Sequence, residues 1–533
     1  MRPTFMGFET ARKGLAVNQK GLDIVGHNIM NLQTEGYTRQ RIDVRAVGLD
    51  SYSSRYGVSR TDLSGQGVDA SGVSQIRDSF LDKRFREEYS DVGYYDTTSG
   101  LLGDIEKVLN EFGLNPAEDN PNGTGLENAI KEITKSLGSF SSEGDSKTHA
   151  TILMTSFKNM TQLLNQFDSK LNSVADQAKF DLKVSMDELN VTLSKIADLN
   201  YQIEQDMAVT KSTNGEYYGP NELMDQRNML LDKLANYGDL KVEPQSNGTV
   251  TVNMNGKKVV EGSNKEMINL SYNNNGTVAL NWQSDGTLVN LTTGALKAFT
   301  DVINGRGVNA QLTNEVNYNG IRYYRDKING FANTLAKTVN NIIPQQKLDA
   351  NGKPIKPAEP ALGKYRPLLQ STVYEKQDDG TVTTRTDLPV TAANITISDE
   401  WAKDSTLIVF EEGNLDNKYI LQMKEALTTG TYNFRASGDI GDSSFNGTFV
   451  DYIEDYTVSQ AGQKQDSDSR LKASVEISGD LIDRRDDVSG VSQDEETVNM
   501  MMYQKAYQAA ARLMTTIDEA LDKLINSTGL VGR

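Results

Sequence analysis

Cysteine is absent from the 533 residues, which excludes disulfides and thiolate chemistry. Histidine occurs only at His27 and His149. A zinc site would need both of them and two carboxylates, and neither has a ligand partner nearby in sequence. His27 lies beside an apolar seam, so packing is its expected role. No stretch of about 20 apolar residues exists to span a bilayer. The first 25 residues hold no continuous apolar run and no small-residue cleavage site, so the expectation is a chain without a cleaved secretory signal. Basic residues are outnumbered 55 to 73, and the net charge of −18 argues against nucleic acid or an anionic membrane as the main partner. Proline is scarce, and six of the eleven fall between Pro344 and Pro389. No Gly-x-Ser-x-Gly or Ser-His-Asp arrangement appears, so the reading is of a protein that is not an enzyme and uses no cofactor.

What the chain does contain is periodicity at both ends. Phe8, Ala11, Leu15, Asn18, Leu22, Val25, Ile29 and Leu32 recur at spacings of three and four, a heptad seam. Val498, Met502, Ala506, Ala509, Leu513, Ile517, Ala520 and Leu524 repeat the pattern near the C-terminus. Tyr503, Tyr507, Ala510, Met514, Ile517 and Leu521 form a second seam beside it. Ser492 and Glu495 fit a capping box at the start of that helix. Residues 1–47 carry net +3 and residues 490–533 net −2. The expectation is that the two ends pair as a coiled coil and that one seam stays free for other chains.

Between the ends, Leu171, Val174, Ala178, Leu182, Met186, Leu189, Leu193, Ile196, Leu199 and Ile203 predict a rod-like helix. Helical patterns also run from Leu81 to Phe112, from Leu126 to Phe140, and from Ile321 to Ile342, where Pro344 stops the last. Residues 41–72 read as an extended loop. Asn247-Gly248, Asn255-Gly256, Asn275-Gly276 and Asp285-Gly286 punctuate alternating runs and predict type I′ hairpins in a β-meander. Residues 439–455 read as irregular. The predicted fold is mainly α with β insertions, an elongated multi-domain rod. Its terminal helical domain is 1–47 with 490–533, its helical shaft 48–240, 293–347 and 391–489. The β-meander is 241–292 and a loop-rich or β insertion 348–390.

Three motifs in order carry a resemblance. Asn28-Ile29-Met30-Asn31-Leu32-Gln33-Thr34-Glu35-Gly36-Tyr37-Thr38-Arg39 sets two asparagines at a helix end before a Gly-aromatic turn. Asn28 and Asn31 can bond the last helical carbonyls, and Gly36 can take the positive φ that ends the element. Asn221-Glu222-Leu223-Met224-Asp225-Gln226-Arg227, then Leu230-Leu231-Asp232, forms the second. Ser489-Gly490-Val491-Ser492, Asp494-Glu495-Glu496, Asn499, Tyr503-Gln504 and Ala506-Tyr507 form the third. Together they resemble the bacterial flagellar axial proteins, the rod, hook and hook-associated family, and the second block is typical of the hook-associated branch at the hook–filament junction. Met30 stands where the family usually has a small residue.

The resemblance implies a structural protein of the flagellum, at the junction between hook and filament and outside the cell, exported through the flagellum's own type III channel. It implies self-assembly into a ring, and contact with the hook protein and with the second hook-associated junction protein. A cytosolic export chaperone would dock on the C-terminal helix. The residues expected to matter are Leu15, Leu22, Val25, Ile29 and Leu32 in the N-terminal seam, and Asn28, Asn31, Gly36 and Tyr37 in the signature. On the assembly and chaperone helix they are Met502, Leu513, Ile517 and Leu524. Two other functions compete: an exported adhesin that uses the β insertion, and a flagellum-associated cell-wall hydrolase, which would need paired carboxylates in a compact cleft.

Other motifs fail on context. Gly65-Gln66-Gly67-Val68-Asp69-Ala70 matches a dinucleotide fingerprint, but Ser71-Gly72 follows where a helix should open. Calcium-type loops counted from Glu375 or Ser271 place Thr386 or Trp282 where a bidentate Glu is required. Asp494, Glu495 and Glu496 complement a helix dipole instead of forming an acid–base pair.

Overall fold

A computed structural model describes residues 4–47, 67–111, 125–142, 147–209, 219–307, 316–342, 367–376, 382–408, 418–435 and 445–527. The chain opens with α1 (Thr4–Met30), then β1 (Gln40–Ala46) and β2 (Val68–Gln75), which pair antiparallel. The described part of residues 41–72 is therefore a paired ribbon, not the loop their composition predicts. Its sequence is poor in alternating apolar residues. The few it has, Ile42, Val68 and Val73, pack on Val17 and Ile24 of α1, so the ribbon depends on that helix.

α2 (Ser79–Glu111) is one helix, and Phe112, the last residue of the predicted pattern, lies outside the described residues. α3 (Leu126–Ser142) buries Leu126, Ile130, Ile133, Leu137 and Phe140, the amphipathic stripe read from sequence. α4 (Lys147–Val209) runs for 63 residues, about 95 Å at ~1.5 Å per residue, which makes the molecule elongated. Its seam begins earlier than predicted: Leu153, Phe157, Met160, Leu164 and Phe167 are fully buried ahead of Leu171. α5 (Asn221–Ala235) comes next and packs on α4.

The β-rich region holds β3 (Leu240–Pro244), β4 (Val250–Met254), β5 (Lys257–Glu261), β6 (Asn264–Lys265), β7 (Ile268–Tyr272) and β8 (Val278–Trp282). The first four form one antiparallel sheet in sequence order and the last two a separate hairpin. Only one of the four predicted type I′ turns has that form, with positive φ at both Asn255 and Gly256. At Asn247, Asn275 and Asp285 only the glycine after them is left-handed. There the Asx side chain accepts the backbone N–H and the hydroxyl of Thr249, Thr277 or Thr287, two residues on. The threonine after each Asx-Gly pair selects this Asx-turned loop over the tighter one.

α6 (Ala295–Asn304) and α7 (Ile321–Ile342) return to the shaft, with Pro344 outside the described residues. In the predicted insertion, residues 348–366 and 377–381 also lie outside them. The described part gives β9 (Leu369–Ser371), β10 (Val373–Lys376) and β11 (Val382–Arg385). β12 (Ile395–Ile397) pairs with β9, and β10 with β11. α8 (Asp399–Lys403), α9 (Lys418–Thr428), β13 (Tyr432–Phe434) and β14 (Phe445–Gly447) lead to α10 (Phe449–Ser489). Residues 439–455 are therefore not irregular where described. Thr448 and Asp451 exchange side-chain and backbone bonds in a full capping box that starts α10. The chain ends in α11 (Gln493–Asp522) and a π-helical turn, Lys523–Ser527.

α2 and α10 pack antiparallel through a largely polar heptad. Gln460, Ser467, Ser474 and Leu481 are buried at seven-residue intervals. Gln460 donates to the Leu102 carbonyl at 3.1 Å and Ser467 to that of Tyr95 at 3.4 Å. Small polar side chains let the backbones approach, and the carbonyls they meet satisfy their hydroxyl and amide groups.

Candidate functional site

α1 and α11 lie antiparallel, and two runs of residues spaced by seven set their register. Gly7, Gly14, Gly21 and Asn28 are opposite Ile517, Ala510, Tyr503 and Glu496. A methyl placed on Gly7 would stand 3.2 Å from Ile517 and one on Gly14 3.7 Å from Ala510. On Gly21 it would stand 2.7 Å from the Tyr503 ring. The glycines let α1 lie close against α11. Because glycine carries no apolar signal, the seam read from hydrophobicity falls beside the true one. Val25 is buried, while Leu15, Leu22 and Ile29 are half-buried. Leu32 lies past the end of α1 and is exposed. Met30 is 86% exposed, so its size meets no close helix contact.

On α11 the second seam faces α1 except at Tyr507, which is exposed: Tyr503, Ala510, Met514, Ile517 and Leu521 are half-buried. Most of the first seam looks outward: Val498, Met502 and Leu513, and Leu524 in the turn after α11, are exposed at 60, 54, 47 and 51%, while Ala506 is half-buried. Ile517 belongs to both seams and is taken by α1. Ser492 accepts the Glu495 N–H, but the reciprocal half of the capping box is replaced, because the Glu495 carboxylate pairs with Arg39.

At the other end of the α1–α11 pair, the three sequence motifs meet. Asn28 is 1% exposed and all four of its bonds are made. Its amide donates to the Gln40 carbonyl and to Glu496, and its oxygen accepts the Tyr37 hydroxyl at 2.7 Å and the Gln40 N–H at 3.1 Å. It does not cap α1 as expected; it ties α1 to β1 and α11. Asn31 does bond a late helical carbonyl, that of His27, and Gly36 takes φ +75°. Arg39 binds Glu495 and Glu496, and its N–H reaches the Ser489 carbonyl. His27 is not packed as expected; it is exposed, edge-on to Tyr37 and 3.5 Å from Glu222.

The second motif supplies the floor. Asp225 accepts from the Thr38 N–H, the Thr38 hydroxyl at 2.6 Å and the Gln75 amide at 2.8 Å. Burial raises its pKa, against the lowering effect of Thr38, Arg77 and Gln75. Asp232 joins Arg86 at 2.7 Å and Arg485 at 2.6 Å, linking α5 to both shaft helices. Arg77 pairs with Asp82 and also reaches Thr38. Burial, then the charges of Asp225, Glu222 and Glu496, push the Tyr37 hydroxyl well above its usual range, so it stays a donor. The arrangement is a polar clasp that fixes the terminal pair to the shaft. Buried ion pairs of this kind give little net stability, but breaking one costs several kcal/mol, roughly 3–5.

Among the described residues no group of three or more His, Asp or Glu is placed to hold a metal ion, and no helix is long and apolar enough to cross a membrane. Of the fingerprint at 65–70, Gly65 and Gln66 lie outside the described residues, and Val68 opens β2 instead of preceding a helix. Ser271 and Trp282 belong to the paired strands β7 and β8.

Residues 118–357 match the family model described as the flagellar hook-associated protein FlgK helical domain, and residues 487–527 that of the flagellar basal body rod FlgEFG protein C-terminal region. The flagellar hook-associated protein 1 of Bacillus subtilis is 27% identical over 578 residues, covering 100% of both chains. That of Escherichia coli is 23% identical, over 97% of this chain and 98% of its own. The flagellar hook junction protein FlgK of Burkholderia pseudomallei shares the fold at a TM-score of 0.54 and 11% identity, over 77% of this chain and 100% of that one. Three motifs far apart in sequence join into one clasp, and two family models and two full-length relatives agree with them: the chain is similar to flagellar hook-associated protein 1 along its whole length, and its role is that of a structural component of the flagellum.

Proposed function

We propose that this protein self-assembles into a ring at the junction between hook and filament and serves as the adaptor on which the filament is built. One observation carries the reading: α11 is occupied by the chain's own N-terminus on one face and presents Val498, Met502 and Leu513 on the other, continued by Leu524 in the turn that follows it. An apolar row of that length on a helix that is already paired is surface left for other chains. Its neighbours would be further copies of itself, the hook protein and the second hook-associated junction protein. The role is mechanical and not catalytic. The protein would act outside the cell, after export through the flagellar channel.

Before export, the same row would be covered by a cytosolic chaperone in helix-in-groove fashion, with Met502, Leu513 and Leu524 as anchors. Ile517 is turned to α1 in the folded chain and would join them only once the ends separate. The direct test is to add the purified protein to isolated hooks and then supply filament protein. Decorated hooks that seed filaments are the expected result. Hooks that stay bare, or that take up the protein without seeding, overturn the reading.

A further inference from the structure

A cavity of about 630 Å³ lies between the end of β2, the first turns of α2, α5 and the edge of β3. It is separate from the exposed row of α11. Its charge is opposite to that of the chain: Arg77, Lys83, Arg86, Arg227 and Lys241 line it against Asp82 and Glu243. That is net +3 in a protein of net −18.

Three of those cations have carboxylate partners. Arg77 is held by Asp82, Arg86 by Asp232 and Lys83 by Glu87. Arg227 is different. It is 3% exposed, and its Nη1 bonds only the neutral oxygens of Asn200 at 3.0 Å and Gly248 at 2.7 Å. Its Nε has no hydrogen-bond partner, and neither has Nη2 of Arg86, which is 6% exposed. Among the described residues no carboxylate forms an ion pair with Arg227. Burial, reinforced by the charges of Arg86 and Arg77, pushes it down to about 10. A buried guanidinium with donors to spare and no counter-charge is costly unless something anionic reaches it.

We propose that this cavity binds a small oxyanion, with Arg227 as its main ligand, Arg86 beside it and Lys241 at the exposed rim. Guanidinium groups present paired donors that suit the planar edges of phosphate and carboxylate groups. The bound anion would link α5 to the β3–β4 edge and to the start of α2, which stiffens the shaft just below the clasp.

Isothermal calorimetry of the full chain with inorganic phosphate, at ionic strength held constant with chloride, tests this. Saturable binding is expected, with a phosphate-dependent rise in Tm. Arg227→Gln should abolish both, and Lys241→Gln should weaken binding about tenfold, the effect of losing one charge-assisted contact. Lys241 is exposed, so its variant gives a result even where Arg227→Gln does not fold. Phosphate also stabilises proteins by exclusion from their surface, and that effect would survive in both variants. No saturable binding, or binding that Lys241→Gln leaves unchanged, overturns the proposal.

Discussion

Asn28 shows how much one side chain decides. It bonds Tyr37, Gln40 and Glu496 together, and all four of its hydrogen bonds leave its own helix. Asn28→Ala strips those partners in a buried place, at a cost of roughly 2–4 kcal/mol, and amide exchange at Tyr37 and Gln40 should accelerate accordingly. Glycines of equal spacing are not equal in effect. Gly14→Ala meets Ala510 at ordinary contact distance and should gain the helix propensity of alanine, about 0.8–1 kcal/mol. Gly21→Ala collides with Tyr503 and should loosen the α1–α11 pair; circular dichroism of the two variants against temperature separates the outcomes.

Asp225 gives a pH dependence of defined sign. Burial raises its folded pKa above the ordinary 3.8, so its contribution to stability is present in acid and is lost as pH rises through the raised value. Asp225→Asn should remove that slope. Urea unfolding of both proteins across the window reads it, and parallel pH profiles would refute it. Asparagine elsewhere acts in a way the sequence hides. Asn190, Asn200, Asn304 and Asn340 stand on helices and bond both the N–H and the carbonyl side of neighbouring strand or loop backbone. Each takes the place of a strand partner, which is why a polar residue sits within the α4 seam at Asn200.

At the scale of elements, strong periodicity is legible and weak periodicity is not. α3, α7 and the second half of α4 match the apolar spacing closely. The β1–β2 ribbon and the α2–α10 pair escape a reading by periodicity because both have few apolar contacts: the ribbon meets α1 through little more than Ile42, Val68 and Val73, and α10 meets α2 through Gln460, Ser467 and Ser474, which carry no hydrophobic signal. The outward row of α11 bears a prediction of its own. Leu513 is 47% exposed, so Leu513→Asp should leave the folded chain within about 0.5 kcal/mol of its original stability while abolishing incorporation into the flagellum. Normal swimming by that variant would rule out the row as an assembly surface. Removing the chain from Asp494 onward should cost chaperone binding and leave the shaft folded. Undiminished binding in calorimetry would move the chaperone elsewhere.

For the whole molecule, burial is uneven. α3, α4, α7 and the β-rich region share one continuous core, whereas α1 and the β1–β2 ribbon contribute a small cluster centred on Val17, Ile24 and Ile42. A two-helix unit with so little buried surface depends on the clasp at one end and on neighbours along its length. Limited proteolysis of the dilute protein should therefore remove the α1–α11 pair from the end near Gly7 and Ile517 first, and leave a resistant middle. Equal protection of the terminal pair and the middle would contradict this.

The sequence by itself determined that the ends pair, that long helices form a rod and that β excursions interrupt it. Heptads and Asx-Gly turns are local patterns that no distant contact can reverse. It also placed the three motifs that resemble flagellar axial proteins. Only the tertiary structure decided which seam of α11 is covered, because that choice rests on Gly7, Gly14 and Gly21 admitting a close approach. It alone brought Asn28, Asp225 and Glu496, hundreds of residues apart, into one clasp, and left Arg227 buried without a counter-charge. Those are properties of long-range packing, and spacing along a chain does not encode them.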